Sequence, residues 1–337
     1  MARVRLEDVA RHAGVSMKTV SNVVHDFPHV SVRMRERVQA AIDELGYRPN
    51  AMGRGLATGR TGLLALALAD VTIPYFAELA RMVSTHATKR GYRLLLEQTD
   101  SSLEEERAIV SASEAGLDDG VIFQPAAMSS FEIAKHRTDV PIVLLGEGPA
   151  PLSVDHVMID NAEAATTVTR HLAALGRTRI GFLGHERGRQ TQTSKVRIMG
   201  YQRGLELEDL RVDPSLLVAS AAISAAAASE ALGAALDAGL RIDGLVCRDD
   251  LAAIGALRAL AERGIAVPGD VAVTGWDDIT MASFTHPTLT TIAADTTALA
   301  DAALDLLEER IGGFEGLGRH VIVPHRLVVR ESAPSAR

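Results

Sequence analysis

A small all-α head, joined by a glycine-rich hinge to an α/β core, is the architecture predicted for these 337 residues. Three observations predict it. The first sixty residues read as three short amphipathic helices, the second following the first across a glycine-containing turn as in a helix-turn-helix unit. From Arg48 to Thr61 the apolar rhythm stops, and Gly53, Gly55 and Gly59 stand among Arg54 and Arg60. Beyond Gly62, short continuous apolar runs alternate with helical stretches, the pattern of parallel strands covered on both faces.

In the head, Leu6, Val9 and Ala10 form a stripe at helical spacing, and Glu7 and Asp8 fall in the first turn, where the helix dipole favours acids. Gly14 breaks this helix. Ser16 can cap a second one, whose inward face is Val20, Val23 and Val24. Ser31 can cap a third, with Val38, Ala41, Ile42 and Leu45 inward and Gly46 as its stop. Pro49 then ends the helical pattern. Each glycine of the hinge costs a helix ~1 kcal/mol relative to alanine, so the segment is expected to be largely unfolded when free. In the core, strands are expected at Leu63–Leu68, Leu94–Leu96, Val121–Phe123, Ile142–Leu145, Val157–Ile159, Ile180–Leu183, Leu245–Cys247 and Val271–Thr274. The length beyond the hinge fits two such lobes. The chain thus divides into a head (1–48), a hinge (49–61), a core (62–333) and a short tail (334–337).

Composition narrows the function. With 47% apolar and 23% charged residues the chain is globular and not disordered. The net charge of -8 conceals an asymmetry: residues 1–60 hold ten Lys/Arg against six Asp/Glu, so the excess acid lies entirely in the remainder. A basic head on an acidic body points to a polyanionic partner for the head alone. One cysteine, Cys247, excludes an internal disulfide framework. No apolar signal-peptide run opens the chain and no early apolar stretch is long enough to cross a bilayer, so a cytoplasmic protein without membrane contact is expected.

Motifs for other chemistry are missing. There is no His-Glu-x-x-His, Cys-x-x-Cys or Gly-x-x-x-x-Gly-Lys-Ser/Thr, and the eleven histidines are scattered. Gly53, Gly55 and Gly59 miss the dinucleotide spacing and follow no strand, while Gly146-Glu147-Gly148 runs into Pro149 and Pro151. No cofactor, catalytic group or metal site is expected, and an enzyme is not. The acid pairs Asp249/Asp250 and Asp277/Asp278 follow apolar strands at the carboxyl ends, where α/β sheets place ligands; there they can accept hydrogen bonds from hydroxyl groups.

The run Val4-Arg5-Leu6-Glu7-Asp8-Val9-Ala10-Arg11-His12-Ala13-Gly14-Val15-Ser16, continued by Thr19-Val20-Ser21-Asn22-Val23-Val24, resembles the head of the lactose-repressor/galactose-repressor family. Tyr47-Arg48-Pro49-Asn50-Ala51 resembles that family's entry to the hinge. The similarity continues through Pro74-Tyr75-Phe76-Ala77-Glu78, Ile159-Asp160-Asn161, Arg197 with Gly200-Tyr201, and Asp250-Leu251-Ala252-Ala253-Ile254-Gly255-Ala256. It closes with Gly275-Trp276-Asp277-Asp278, Pro287 with Leu289-Thr290-Thr291-Ile292, and Leu327-Val328-Val329-Arg330-Glu331-Ser332. No single motif decides; their order over nearly the whole chain does. The resemblance implies a core like periplasmic sugar-binding proteins, with two lobes discontinuous in sequence. It also implies a homodimer on a palindromic double-stranded operator, and a transcriptional regulator, most simply a repressor, controlled by a small ligand such as a sugar.

It further implies which residues act. On the second helix Met17, Lys18, Ser21 and Asn22 face the major groove: Lys18 can donate to guanine O6 and N7, Asn22 can pair with adenine, and Met17 can cover a thymine methyl. Ser16, Thr19, His25 and Ser31 suit phosphate contacts, which position without specifying, and Asn50 lies at the hinge entry. Lys18 could equally touch phosphate, and Met17 could simply pack. Leu56 stands where relatives insert a leucine pair into a central minor-groove step; its alternative is packing on the core. Many relatives carry Arg where Asn22 stands.

For the core, the matching positions imply Tyr75 and Phe76 as an apolar wall, with Asp160, Arg197, Asp249 and Asp277 as polar anchors. Carboxylates accept from paired hydroxyls and the guanidinium donates to their oxygens, a combination suited to a neutral polyol; a nucleobase is the other fit. Arg197 with Asp160 could instead be an inter-lobe salt bridge, and Asp277 a turn contact. Competing functions are a sugar-binding transport protein, disfavoured by the basic head, and a sugar-acting α/β enzyme, for which no catalytic constellation stands out.

Overall fold

The computed structural model describes residues 4–24, 27–48, 60–114, 117–135, 140–148, 151–188 and 190–335. The chain divides into two compact units, residues 1–62 and 63–337.

The first unit holds α1 (Leu6–Ala13), α2 (Met17–Val24) and α3 (Val32–Leu45). They close on a small apolar cluster of Val9, Ala10, Ala13, Val20, Val23, Val38 and Ala41, with Val24, Ile42 and Leu45 packed against it. Asp8 starts α1 by accepting from the Arg5 amide at 2.9 Å. Gly14 ends α1 in the left-handed region, φ 59, and its carbonyl accepts from Arg37 of α3 at 3.0 Å, which fixes the turn before α2. Ser16 caps α2 as expected: its hydroxyl accepts from the Thr19 amide at 3.1 Å. Ser31 occupies the N-cap position of α3 but makes no side-chain cap bond.

The second unit contains two six-stranded sheets. The first orders β11 (His320–Val323), β5 (Asp155–Ile159), β4 (Ile142–Leu145), β3 (Val121–Phe123), β1 (Leu63–Leu68) and β2 (Arg93–Gln98), all parallel. The second orders β12 (His325–Val328), β10 (Thr290–Ala294), β9 (Ala272–Trp276), β8 (Gly244–Cys247), β6 (Ile180–Glu186) and β7 (Leu217–Ser220). The two lobes are the parallel sheets expected from the sequence, with one addition at an edge: β12 runs antiparallel to β10. Helices α4 (Pro74–Lys89), α5 (Leu103–Glu114), α6 (Ser130–Lys135) and α11 (Thr296–Ile311) belong to the first lobe. Helices α7 (Asn161–Ala174), α8 (Gln192–Leu207), α9 (Ala225–Asp237) and α10 (Asp250–Ala261) belong to the second.

The chain passes between lobes three times: from β5 into α7, from β10 into α11, and from β11 through Pro324 into β12. The first two passages have the same build. Asp160 (φ -77, ψ 87) caps α7 by accepting from the Glu163 amide, and Asp295 (φ -75, ψ 85) caps α11 by accepting from the Ala298 amide, each at 2.9 Å. The Asp295 amide donates to the Pro324 carbonyl at 3.0 Å, tying the second passage to the third. The first-lobe sheet also depends on a late segment: Asp155 of β5, fully buried, is held by Arg310 at 2.8 Å and Arg319 at 3.1 Å. Burial pushes its carboxyl up, and the two guanidinium hydrogen bonds overcome that and hold it at about 2.

Candidate functional site

In the head, Ser16, Met17 and Lys18 are exposed at the start of α2, Met17 by 55%, and Thr19, Ser21 and Asn22 are half-buried along the same helix. Ser16 and Thr19 hydroxyls bond each other at 2.9 Å, so both are tied to the cap. Ser31 is exposed at the start of α3. His25, Asn50 and Leu56 lie outside the described residues.

In the core, a cavity opens between the lobes near the passages. Tyr75 and Phe76 line it from the first turn of α4, with ring centroids 5.3 Å apart. Arg197, Asp249 and Asp277 line it from the second lobe. Asp160 does not line it: one of its carboxylate oxygens caps α7, and the neighbour Asn161, itself buried, bonds two residues that do line it, Glu147 and Arg197. The alternative of an Arg197–Asp160 bridge is not what forms. Arg197 Nε donates to Asn161 Oδ1 at 2.9 Å, its Nη1 donates to the Arg248 carbonyl, and its Nη2 stands 3.8 Å from Glu147. The guanidinium also lies over Trp276, 4.0 Å from the ring centroid.

Three groups escaped the sequence reading: Glu147, Arg248 and Trp276, all lining residues. Each stands at or just beyond the carboxyl end of a strand, the same signal that singled out Asp249 and Asp277. Glu147 joins the lobes, accepting from Asn161 Nδ2 at 2.8 Å and from Thr193 Oγ1 at 2.5 Å. Arg248 donates to Ser194 Oγ at 3.0 Å and to Asp249 Oδ2 at 2.8 Å, and its third nitrogen lies 3.5 Å from Glu186. The other oxygen of Asp249 caps α10, accepting from the Ala252 amide at 2.8 Å.

Asp277 differs from its neighbours. Among the described residues no group donates a hydrogen bond to its carboxylate, and its backbone sits at φ 106, a region that L side chains rarely adopt. Burial raises its pKa well above the carboxylate range, while Arg197 nearby pulls the other way. Burial likewise raises the Tyr75 phenol, helped by the carboxylates of Asp277 and Glu147. Burial lowers Arg197, with Glu147 and Asp277 opposing. Both arginines thus have their nitrogens directed at protein acceptors, whereas an acceptor is left over. The chemistry on offer to a ligand is a carboxylate, a phenol and aromatic faces.

Among the described residues no group of three or more His, Cys, Asp or Glu could hold a metal ion, and no helix is long and apolar enough to cross a membrane.

Residues 5–50 match the bacterial regulatory proteins of the lacI family, and residues 169–333 match a periplasmic binding protein-like domain. The HTH-type transcriptional regulator RegA of Clostridium saccharobutylicum is 30% identical over 329 residues, 97% of this chain and 98% of that protein. A solved structure of the lac repressor dimer bound to operator and the anti-inducer ONPF superimposes with a TM-score of 0.89 at 26% identity, covering 99% of this chain and all of the other. The transcriptional regulator CelR in complex with cellobiose gives 0.72 at 28% identity, over 98% of this chain and all of that one. RegA, CelR and the lac repressor are all transcriptional regulators. The chain belongs to the lacI family of bacterial regulatory proteins: it is a DNA-binding transcriptional regulator with a ligand-binding core.

Proposed function

We propose that the protein is a cytoplasmic, homodimeric repressor whose affinity for a palindromic operator is set by a sugar held between the lobes. The unpaired Asp277 carboxylate carries the reading of the ligand. Asp277 lines the cavity half-buried with no donor among the described residues, and Gln124, which lines it too, has Oε1 buried without a partner, so a ligand that donates hydrogen bonds is favoured. A polyol hydroxyl does so without bringing the negative charge that Glu147, Asp249 and Asp277 would repel. Tyr75, Phe76 and Trp276 offer faces for the C–H side of a sugar ring. That CelR has been solved with cellobiose supports the same class.

Repression is favoured by the likeness to the lac repressor on its operator. Met17, Lys18, Ser21 and Asn22 read bases, and Ser16, Thr19, His25, Ser31 and Asn50 position the head on phosphates, with Leu56 entering the minor groove. A second copy accounts for two apolar exposures. Leu95 and Leu96 stand 43% and 45% exposed on β2, the free edge of its sheet, and Met281 and Phe284 stand 55% and 75% exposed in the second lobe. The sugar acts by binding one lobe arrangement more tightly than the other, which shifts the hinges of the dimer and hence operator affinity.

Fluorescence anisotropy with a palindromic duplex carrying a central CG step, beside a scrambled duplex, tests this. The expected result is a preference of ~10³-fold or more for the palindrome, lost in Asn22→Ala and reversed by one member of a sugar panel. Equal, weak binding to both duplexes, with and without every sugar, overturns the reading.

A further inference from the structure

Next to the cavity described above, which encloses about 80 Å³, a second chamber of about 460 Å³ opens between the same lobes. The two adjoin: Leu145 borders both, Gly146 and Glu147 face the inner one, and Gly148 faces the outer. Helix α8 separates its side chains in the same way. Thr193 and Arg197, four residues apart, point to the inner chamber, and Gln192 and Lys195, three apart, to the outer. The Glu147–Thr193 hydrogen bond of 2.5 Å lies at the boundary.

Size decides what the inner chamber can do alone. Its volume of about 80 Å³ lies below the about 300–1,000 Å³ of ligand clefts, so a ring that reaches Asp277 must extend into the outer chamber. The outer chamber falls within that range. Its wall is prebuilt: the fully buried Glu106 accepts from the amides of Ala126 at 2.7 Å, Ala127 at 2.9 Å and Met128 at 2.6 Å, fixing the loop that forms the first-lobe side. The chemistry differs as well. Three carboxylates line the inner chamber and, among the described residues, none lines the outer, where Gln190 and Gln192 can both donate and accept and Lys195 donates.

We propose that the outer chamber is a second sugar subsite and that the effector is a disaccharide, one ring against Asp277 and the aromatic walls, the other against Gln192 and Lys195. The proposal rests on the reading of the cleft as a sugar site. A ligand that spans both chambers displaces Thr193 from Glu147, whose carboxylate then accepts a sugar hydroxyl at the junction.

Isothermal titration of the full chain tests it with two sets of probes: glucose against cellobiose and maltose, and galactose against lactose. One disaccharide is expected to bind ~10-fold or more tighter than its constituent monosaccharide, and Lys195→Ala and Ala127→Trp, the second filling the chamber, are each expected to shrink that ratio. Lys195 is exposed, so its variant is read even where Ala127→Trp fails to fold. A monosaccharide that binds as tightly as its disaccharide, or a ratio unchanged in Lys195→Ala, overturns the second subsite and leaves the sugar site standing. Binding by none of the probes overturns the sugar reading and the subsite with it.

Discussion

The two lobes share a strand order but furnish the cleft differently. At matching places, Gln124 follows β3 where Arg248 follows β8, and Glu147 lies beyond β4 where Asp277 lies beyond β9. The first lobe supplies the rings of Tyr75 and Phe76, the unpartnered Gln124 Oε1 and one carboxylate already engaged by the opposite lobe. The second supplies both guanidiniums, the Trp276 ring and two carboxylates, of which Asp277 has no donor among the described residues. The same scaffold therefore gives one wall without cations and one that carries both. The difference lies in the residues just past the strand ends, where the backbone is already fixed and side chains are free to vary.

The largest expected effect sharpens that contrast. Arg197→Met leaves Asn161 Oδ1 and the Arg248 carbonyl without their donor and Glu147 without its guanidinium neighbour, so core stability is expected to fall by about 3–5 kcal/mol. Denaturant unfolding of the full chain measures it, and a loss below about 1 kcal/mol shows that the second-lobe network is not what orders the cleft.

A smaller effect depends on pH. Asp250, fully buried, accepts from Thr291 Oγ1 at 2.7 Å and the Ile279 amide at 2.9 Å, and burial raises its pKa from 3.8 to about 7. The folded state keeps this proton in a range where the unfolded state has released it. Stability therefore falls as pH climbs from about 4 to about 7 and levels off above, by a few kcal/mol at most. The first lobe adds a lesser term of the same sign through Asp118, raised by burial to about 6. Thermal unfolding across this range checks the slope. In Asp250→Asn the slope is expected to lessen, with Asp277, also raised by burial, keeping a share of it; a slope unchanged by the substitution places the titration elsewhere.

The smallest effect tests where the lobes are alike. Asp160→Ala and Asp295→Ala each remove an N-cap at a lobe passage, and each is expected to cost about 1 kcal/mol. Unequal costs, separated by more than that amount, break the equivalence of the two passages.

Much of this was legible in the sequence. The three head helices follow from apolar stripes closed by Gly14 and Gly46, and the eight strands expected from continuous apolar runs all exist. Of the strands that escaped, β7 and β11 carry only short runs, Leu217–Ala219 and Val321–Val323, and β10 and β12 begin on polar residues. In β10, Thr290 and Thr291 are fully buried because their hydroxyls are satisfied, by the Arg330 carbonyl at 2.9 Å and by Asp250, and buried threonine reads as polar in a sequence. Strands β11 and β12 are four residues each, separated by one proline and split between two sheets. Within the cleft, Asp160 misled because an acid next to a strand end serves as well for a helix cap as for a ligand. Glu147, between two glycines, carries no local signal of its role, since its partners Asn161 and Thr193 are distant in sequence and only the fold brings them together.

The triple passage between lobes also bears on synthesis. When Ile159 leaves the ribosome, five strands of the first lobe exist, but α11 and β11 are still more than a hundred residues away. Until they emerge, Asp155 has neither Arg310 nor Arg319, and the apolar face that α11 covers lies open. The nascent chain therefore makes the whole of the second lobe's parallel sheet before the first is complete, and a message cut short in that interval yields neither lobe as a finished body.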